Sequence, residues 1–169
     1  MARLIKRLAR LFGMVLLASW VVGIAGAILA RRRVVPPPDP RDDEVDLLAV
    51  FAPLGFRSTA RSFRGGTIEL WYGGGVIDLR SATLAPEGAV LRVRAIFGGA
   101  QIAIPASWEV ATSVIGVGGV GDGRPRIERS PDAPLLEIEG FALFGGFGIT
   151  TDLTEGAERQ LDKMAAAPA

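Results

Sequence analysis

Between Leu47 and Thr150 the chain writes one pattern five times. Apolar residues alternate, a large side chain follows, and in four of the copies a glycine pair comes next. The clearest copies are LRVRAIFGGAQIAI (91–104) and EGFALFGGFGIT (139–150). IELWYGGGVIDL (68–79) and TSVIGVGGVGD (112–122) are weaker, and LLAVFAPLGF (47–56) is degenerate. Aligned on the large residue, the anchors are Phe51, Tyr72, Phe97, Val117 and Phe144, at spacings of 21, 25, 20 and 27 residues. That period is too long for a single hairpin and suits one coil of a stacked repeat.

Within each copy the spacing predicts a strand. Ala49, Leu70, Ala95, Ile115 and Ala142 stand two residues before the anchors; Leu47, Ile68, Val93, Ser113 and Gly140 stand four before. These form mostly apolar columns at the period-2 spacing of one sheet face. Glu69 and Arg94 occupy equivalent positions on the other face and would pair across strands stacked in register. The pairs Gly73-Gly74, Gly98-Gly99, Gly118-Gly119 and Gly145-Gly146 read as structural corners, able to enter left-handed backbone regions and leaving room where coils approach closely. Phe56, Ile77, Ile102, Asp122 and Ile149 follow five residues after the anchors, so four of the five copies re-enter a core. The expected fold is all-β: a short parallel β-solenoid of about five coils over 46–151, preceded by one transmembrane helix. A two-sheet antiparallel sandwich is the alternative.

The ends read differently. Residues 1–10 are basic, and 11–30 (LFGMVLLASWVVGIAGAILA) carry no charge. At ~1.5 Å per residue this run makes ~30 Å of helix, the thickness of a bilayer core. A cleaved signal peptide competes, since Ala25-Gly26-Ala27 has the form of a cleavage site. The run nevertheless exceeds the usual ~7–15 residues, and three arginines follow it directly. Residues 31–45 form a linker rich in Pro and acid, with Pro36-Pro37-Pro38 favouring extended polyproline. At 152–169, Asp152 and Glu155 have capping-box spacing, and Leu153, Ala157, Leu161 and Met164 mark an apolar stripe. A short helix near 153–164 is expected there, covering an edge or a face.

Charge and composition exclude several functions. Seven Lys/Arg and no acid lie in 1–33, whereas the rest holds twelve Lys/Arg against eighteen Asp/Glu. An acidic body argues against nucleic acid as a partner, and the basic end points to a lipid bilayer. The chain has no Cys and no His, which removes the commonest general base, thiol nucleophile and metal ligands. Gly116, Gly118 and Gly121 match the dinucleotide string G-x-G-x-x-G. The motif needs a helix next, and Pro125, Pro131 and Pro134 break one. Glu137 and Glu139, spaced as paired carboxylates, read as a solvated outer face. No catalytic residue, cofactor or metal is expected, and the chain does not read as an enzyme.

One outward column resists a purely structural reading. The residues just before the anchors include Val50, Trp71, Ile96 and Leu143, with Gly116 in the fourth copy. A mainly apolar outward column holding tryptophan is either a partner-docking strip or a surface covered by the C-terminal helix or another part of the chain.

GGGVIDLRSATL (73–84), AIFGGAQIAIPASWEV (95–110) and GFALFGGFGIT (140–150) resemble the C-terminal domain of LiaF-type proteins, the cell wall-active antibiotics response family. The resemblance covers about 45–150 and rests on the serial FGG motifs, the "DL" after the first and the "IP…W" after the second. It implies a bacterial, membrane-tethered β-rich domain on the cytoplasmic side. In better-known members this domain restrains a sensor histidine kinase until the envelope is damaged. Those members carry several membrane helices, and this chain a single candidate span. Counting the basic residues at the two ends of 11–30 does not decide the side. The expected function is therefore a non-enzymatic, single-pass regulatory protein of envelope-stress signalling, with a membrane histidine kinase as partner. The alternative is a membrane-tethered scaffold self-associating through its solenoid ends.

Overall fold

The fold is that of a computed structural model, which describes residues 14, 21, 38–128, 130 and 133–165. The chain divides into two units, 1–34 and 35–169. Of the first, Met14 and Val21 are described, both helical and exposed.

Among the described residues, the second unit is built on eight strands and one helix. The strands are β1 (Glu44–Val50), β2 (Leu54–Arg57), β3 (Gly65–Trp71), β4 (Gly74–Asp78), β5 (Ala89–Ile96), β6 (Gly99–Ala103), β7 (Glu109–Asp122) and β8 (Leu135–Thr150); the helix is α1 (Glu155–Ala165). Each of the first three copies is a strand–bend–strand arch whose two strands do not pair with each other. All strand pairing is parallel. The order is β1-β3-β5-β8-β6-β4-β2, with β7 on β8. β8 is long enough to pair with β5 by its first half and β6 by its second. It thereby joins the two halves into one nearly closed, barrel-like sheet.

Register follows the repeat. Leu47, Ile68, Val93 and Gly140 stand side by side, as do Ala49, Leu70, Ala95 and Ala142. Phe56, Ile77, Ile102 and Ile149 align across the other half and are buried. These columns face each other in one core, to which the connecting loops add Phe63 and Leu84, themselves joined by a parallel bridge. On the outer face, Arg94 Nη1 donates to Glu69 Oε1 at 2.8 Å, the cross-strand pair that the sequence spacing suggested.

The expected fold is corrected on two counts, although all-β and parallel stand. First, the copies do not stack in chain order. The fifth, β8, inserts between the third and the fourth, so β7 lies outermost. Both late strands run unbroken through the corner that separates two strands in the earlier copies. The sheet therefore curls nearly closed rather than stacking five separate coils. Second, among the described residues no helix is long and apolar enough to cross a membrane. Apart from Met14 and Val21, the expected span at 11–30 lies outside the described residues. The antiparallel sandwich is excluded by the parallel pairing.

The C-terminal helix is present, with a different cap. Thr154 Oγ1 accepts from the Ala157 amide at 3.3 Å, the N-cap geometry that satisfies a free amide of the first turn. Asp152 instead bonds to Thr150 and Thr151. Ala157 and Leu161 of α1 pack on Val76, on the outer face of the β2–β4 half. Met164 lies against Gly55, where a Cβ would collide with it.

Candidate interaction surface

The bend of each arch is made by the anchor rather than by glycine. Phe51, Tyr72, Phe97 and Phe144 have φ of 52°, 55°, 51° and 55°. This left-handed region costs an L-residue roughly 1–2 kcal/mol. Contacts between copies offset that cost: the amides of Phe51, Tyr72 and Phe97 donate to the carbonyls of Trp71, Ile96 and Leu143 at 2.8, 2.9 and 2.9 Å, and the four rings stack. Centroids lie 4.9 Å apart for Phe51–Tyr72, 5.1 Å for Tyr72–Phe97 and 4.8 Å for Phe97–Phe144, all with 13° between planes. The step matches the ~4.7–4.9 Å spacing of neighbouring strands, so register and ring contact reinforce each other. The ladder is partly open: Phe144 is 57% exposed and Phe51 51%.

The corner glycines leave the room expected where copies approach closely, but most of them are not left-handed. Gly73, Gly74, Gly98, Gly99, Gly145 and Gly146 are not among the residues with positive φ; only Gly118 and Gly119 are, at 141° and 140°. What the first glycine of each pair supplies is room. A Cβ on Gly98 would run into the Gly73 carbonyl, and one on Gly118 into the Gly145 carbonyl.

The outward column comes together as a row: Val50, Trp71, Ile96 and Leu143 are paired neighbours. In β7 the row continues with Val117, not Gly116, because a bulge between Val117 and Gly118 shifts the register opposite Phe144. Exposure rises along the row. Val50 is buried, Trp71 and Ile96 are half-buried, Leu143 is 38% exposed and Val117 61%. The helix α1 packs on β2 and β4 instead of over this row. The result is an apolar surface broadening toward β7, bordered on one side by the aromatic ladder.

Two charged clamps hold the frame. Asp78, 3% exposed, receives Arg57 Nε at 3.1 Å, Arg80 Nε at 2.9 Å and Arg80 Nη2 at 3.0 Å; Arg80 Nη2 also reaches Glu158 of α1 at 3.1 Å. Burial alone would push the Asp78 carboxyl up. The hydrogen bonds from the Arg80 side chain and backbone, and from Arg57, outweigh it and hold the group below the ordinary carboxylate range. The same pairing raises Arg80, with the Asp78 hydrogen bond as the largest cause. In the second clamp, Arg124 bonds both carboxylate oxygens of Asp122 and donates to the Trp108 carbonyl at 2.9 Å. It ties the end of β7 to the turn after β6.

Other candidates resolve more simply. Gly116, Gly118 and Gly121 lie inside β7, and the next element among the described residues is the strand β8, not a helix. Glu139 pairs with Arg92 at 3.0 Å on the outer face, and Glu137 is exposed beside it. Among the described residues no cluster of three acidic, His or Cys side chains could hold a metal. A groove of about 680 Å³ runs between α1 and the bend, floored by Gly74 and Gly99 and flanked by Tyr72, Gln101 and Gln160. Comparison of the chain with family models, curated proteins and solved structures found no match.

Proposed function

We propose that this protein works at the bacterial cell membrane as a non-enzymatic docking protein. In this reading the repeat domain engages the cytoplasmic part of a membrane signalling protein, such as a histidine kinase, in the response to envelope stress. The observation that carries it is the row Trp71, Ile96 and Leu143: apolar, outward and uncovered by α1. Large apolar side chains held outward in register by a sheet are typical of protein-binding surfaces. The resemblance of 45–150 to LiaF-type domains supports the kind of partner. The same resemblance supports the place.

The test is capture of membrane histidine kinases by tagged full-length protein. Trp71→Asp with Ile96→Asp should abolish capture while far-UV circular dichroism stays unchanged. Capture that survives in the folded double variant rejects this surface.

A further inference from the structure

The sheet ends differ in how they are protected. At one end, β1 exposes Glu44 and Asp46 and α1 lies over β2. Charge and cover are the usual guards of an unpaired strand. At the other end β7 pairs with β8 alone. It is fourteen residues long, with no charged residue from 110 through 121. Its two most exposed apolar side chains, Ile115 at 74% and Val117 at 61%, stand two residues apart on the outer face.

We propose that the β7 edge is an interface between two copies of this chain, paired antiparallel about a two-fold axis at Gly116. A two-fold edge pairing joins residue i to j and j to i. Centred on Gly116, it sets Ile115 of each copy opposite Val117 of the other. All four of these exposed side chains then meet in cross-strand pairs on one face. No other centre pairs both residues: a centre at Ile115 puts Val117 opposite Ser113, and one at Val117 puts Ile115 opposite Gly119. The same register places no two like charges opposite each other. A second copy meets this edge with its own Ile115 and Val117, so one pair of side chains supplies both halves of the contact and no charge opposes it.

Pairing about a two-fold uses both open edges, so assembly closes at a dimer and does not propagate. The inference shares Val117 with the outward row but not its test: it rests on the open strand edge and is read by self-association, whereas docking rests on Trp71, Ile96 and Leu143 and is read by capture of a kinase.

The chain has no cysteine, so introduced thiols report cleanly. Opposed residues have Cβ atoms ~4.5–5.5 Å apart, close to the ~3.5–4.5 Å of a disulfide. Two differently tagged full-length chains, one Ile115→Cys and the other Val117→Cys, are co-expressed and oxidised. The expected result is a mixed-tag disulfide at several times the yield of an Asp46→Cys pair on the guarded edge. In sedimentation, Ile115→Lys with Val117→Lys should remove the dimer without changing the circular dichroism. Cross-linking no better than the Asp46→Cys pair, or a dimer that survives in the folded double-lysine variant, overturns the proposal.

Discussion

Removing the Phe97 ring should unfold this domain more readily than removing Phe51, and glycine should be a milder replacement than alanine. Phe97 lies in the middle of the ladder, touching Tyr72 at 5.1 Å and Phe144 at 4.8 Å. Stacked pairs contribute ~0.5–1.5 kcal/mol each beyond area burial, so truncation forfeits ~1–3 kcal/mol of ring contact. With 38% of the residue exposed, lost burial adds roughly 1–2 kcal/mol out of the ~1.5–3 kcal/mol of a fully buried side chain. Phe97→Ala should therefore cost about 2–5 kcal/mol. Phe51, at the ladder's end, loses one stack and a more exposed ring, for about 1–3 kcal/mol. Alanine keeps the left-handed strain of φ 51°; glycine releases roughly 1–2 kcal/mol of it and returns ~0.5–1 kcal/mol through its freer unfolded chain. Phe97→Gly should thus be the more stable of the two by about 0.5–1 kcal/mol. Urea unfolding of the full chain, followed by far-UV circular dichroism, measures all three. Phe97→Ala no weaker than Phe51→Ala, or more stable than Phe97→Gly, would refute the reasoning.

Other substitutions test the remaining contacts. Among the described residues, the Tyr72 hydroxyl is the buried side-chain polar atom that lacks a hydrogen-bond partner. A buried unsatisfied group costs ~1–3 kcal/mol, so Tyr72→Phe should leave the urea midpoint unchanged or raise it. Asp78 has a folded pKa below its unfolded value. Its stabilisation is present above about pH 3.9 and is lost as pH falls through the folded pKa. Asp78→Asn should lower stability near neutral pH by about 1–3 kcal/mol and flatten its acid dependence; an identical acid limb in unfolding scans counts against the clamp. Gly98→Ala should destabilise by several kcal/mol or prevent folding, since its Cβ meets the Gly73 carbonyl; a variant with wild-type melting contradicts that packing. Thr154→Ala should cost about 1 kcal/mol through loss of the helix cap, whereas Asp152→Ala should cost less on the same melting curve.

Much of the strand layout was legible because it depends on local pattern. The period-2 columns through Leu47, Ile68 and Val93 and through Ala49, Leu70 and Ala95 carried over directly, as did the Glu69–Arg94 pair. Strand order was not legible. The copies repeat one local pattern, so no single residue in it says whether β7 or β8 lies against β5. The bulge at Val117/Gly118 then moved the fourth copy by one position, replacing Ile115 and Ser113 in the inner columns by Gly116 and Val114. Aromatic residues in left-handed backbone were missed for a related reason. Local preference disfavours them, and contacts between distant copies hold them there: ring stacking, and amide bonds such as that from Phe97 to the Leu143 carbonyl. A signal for the two clamps did exist in the sequence, since Asp78-Leu79-Arg80 and Asp122-Gly123-Arg124 share the D-x-R spacing and the same side-chain bonding.

The docking surface can be tested in living cells by placing a photo-crosslinking phenylalanine analogue on the full chain. The analogue at Ile96 or Leu143 should form an adduct with a membrane histidine kinase after irradiation, and at Asp46 on the β1 edge none. Equal adducts from all three positions, or none from Ile96 and Leu143, would contradict docking through this surface.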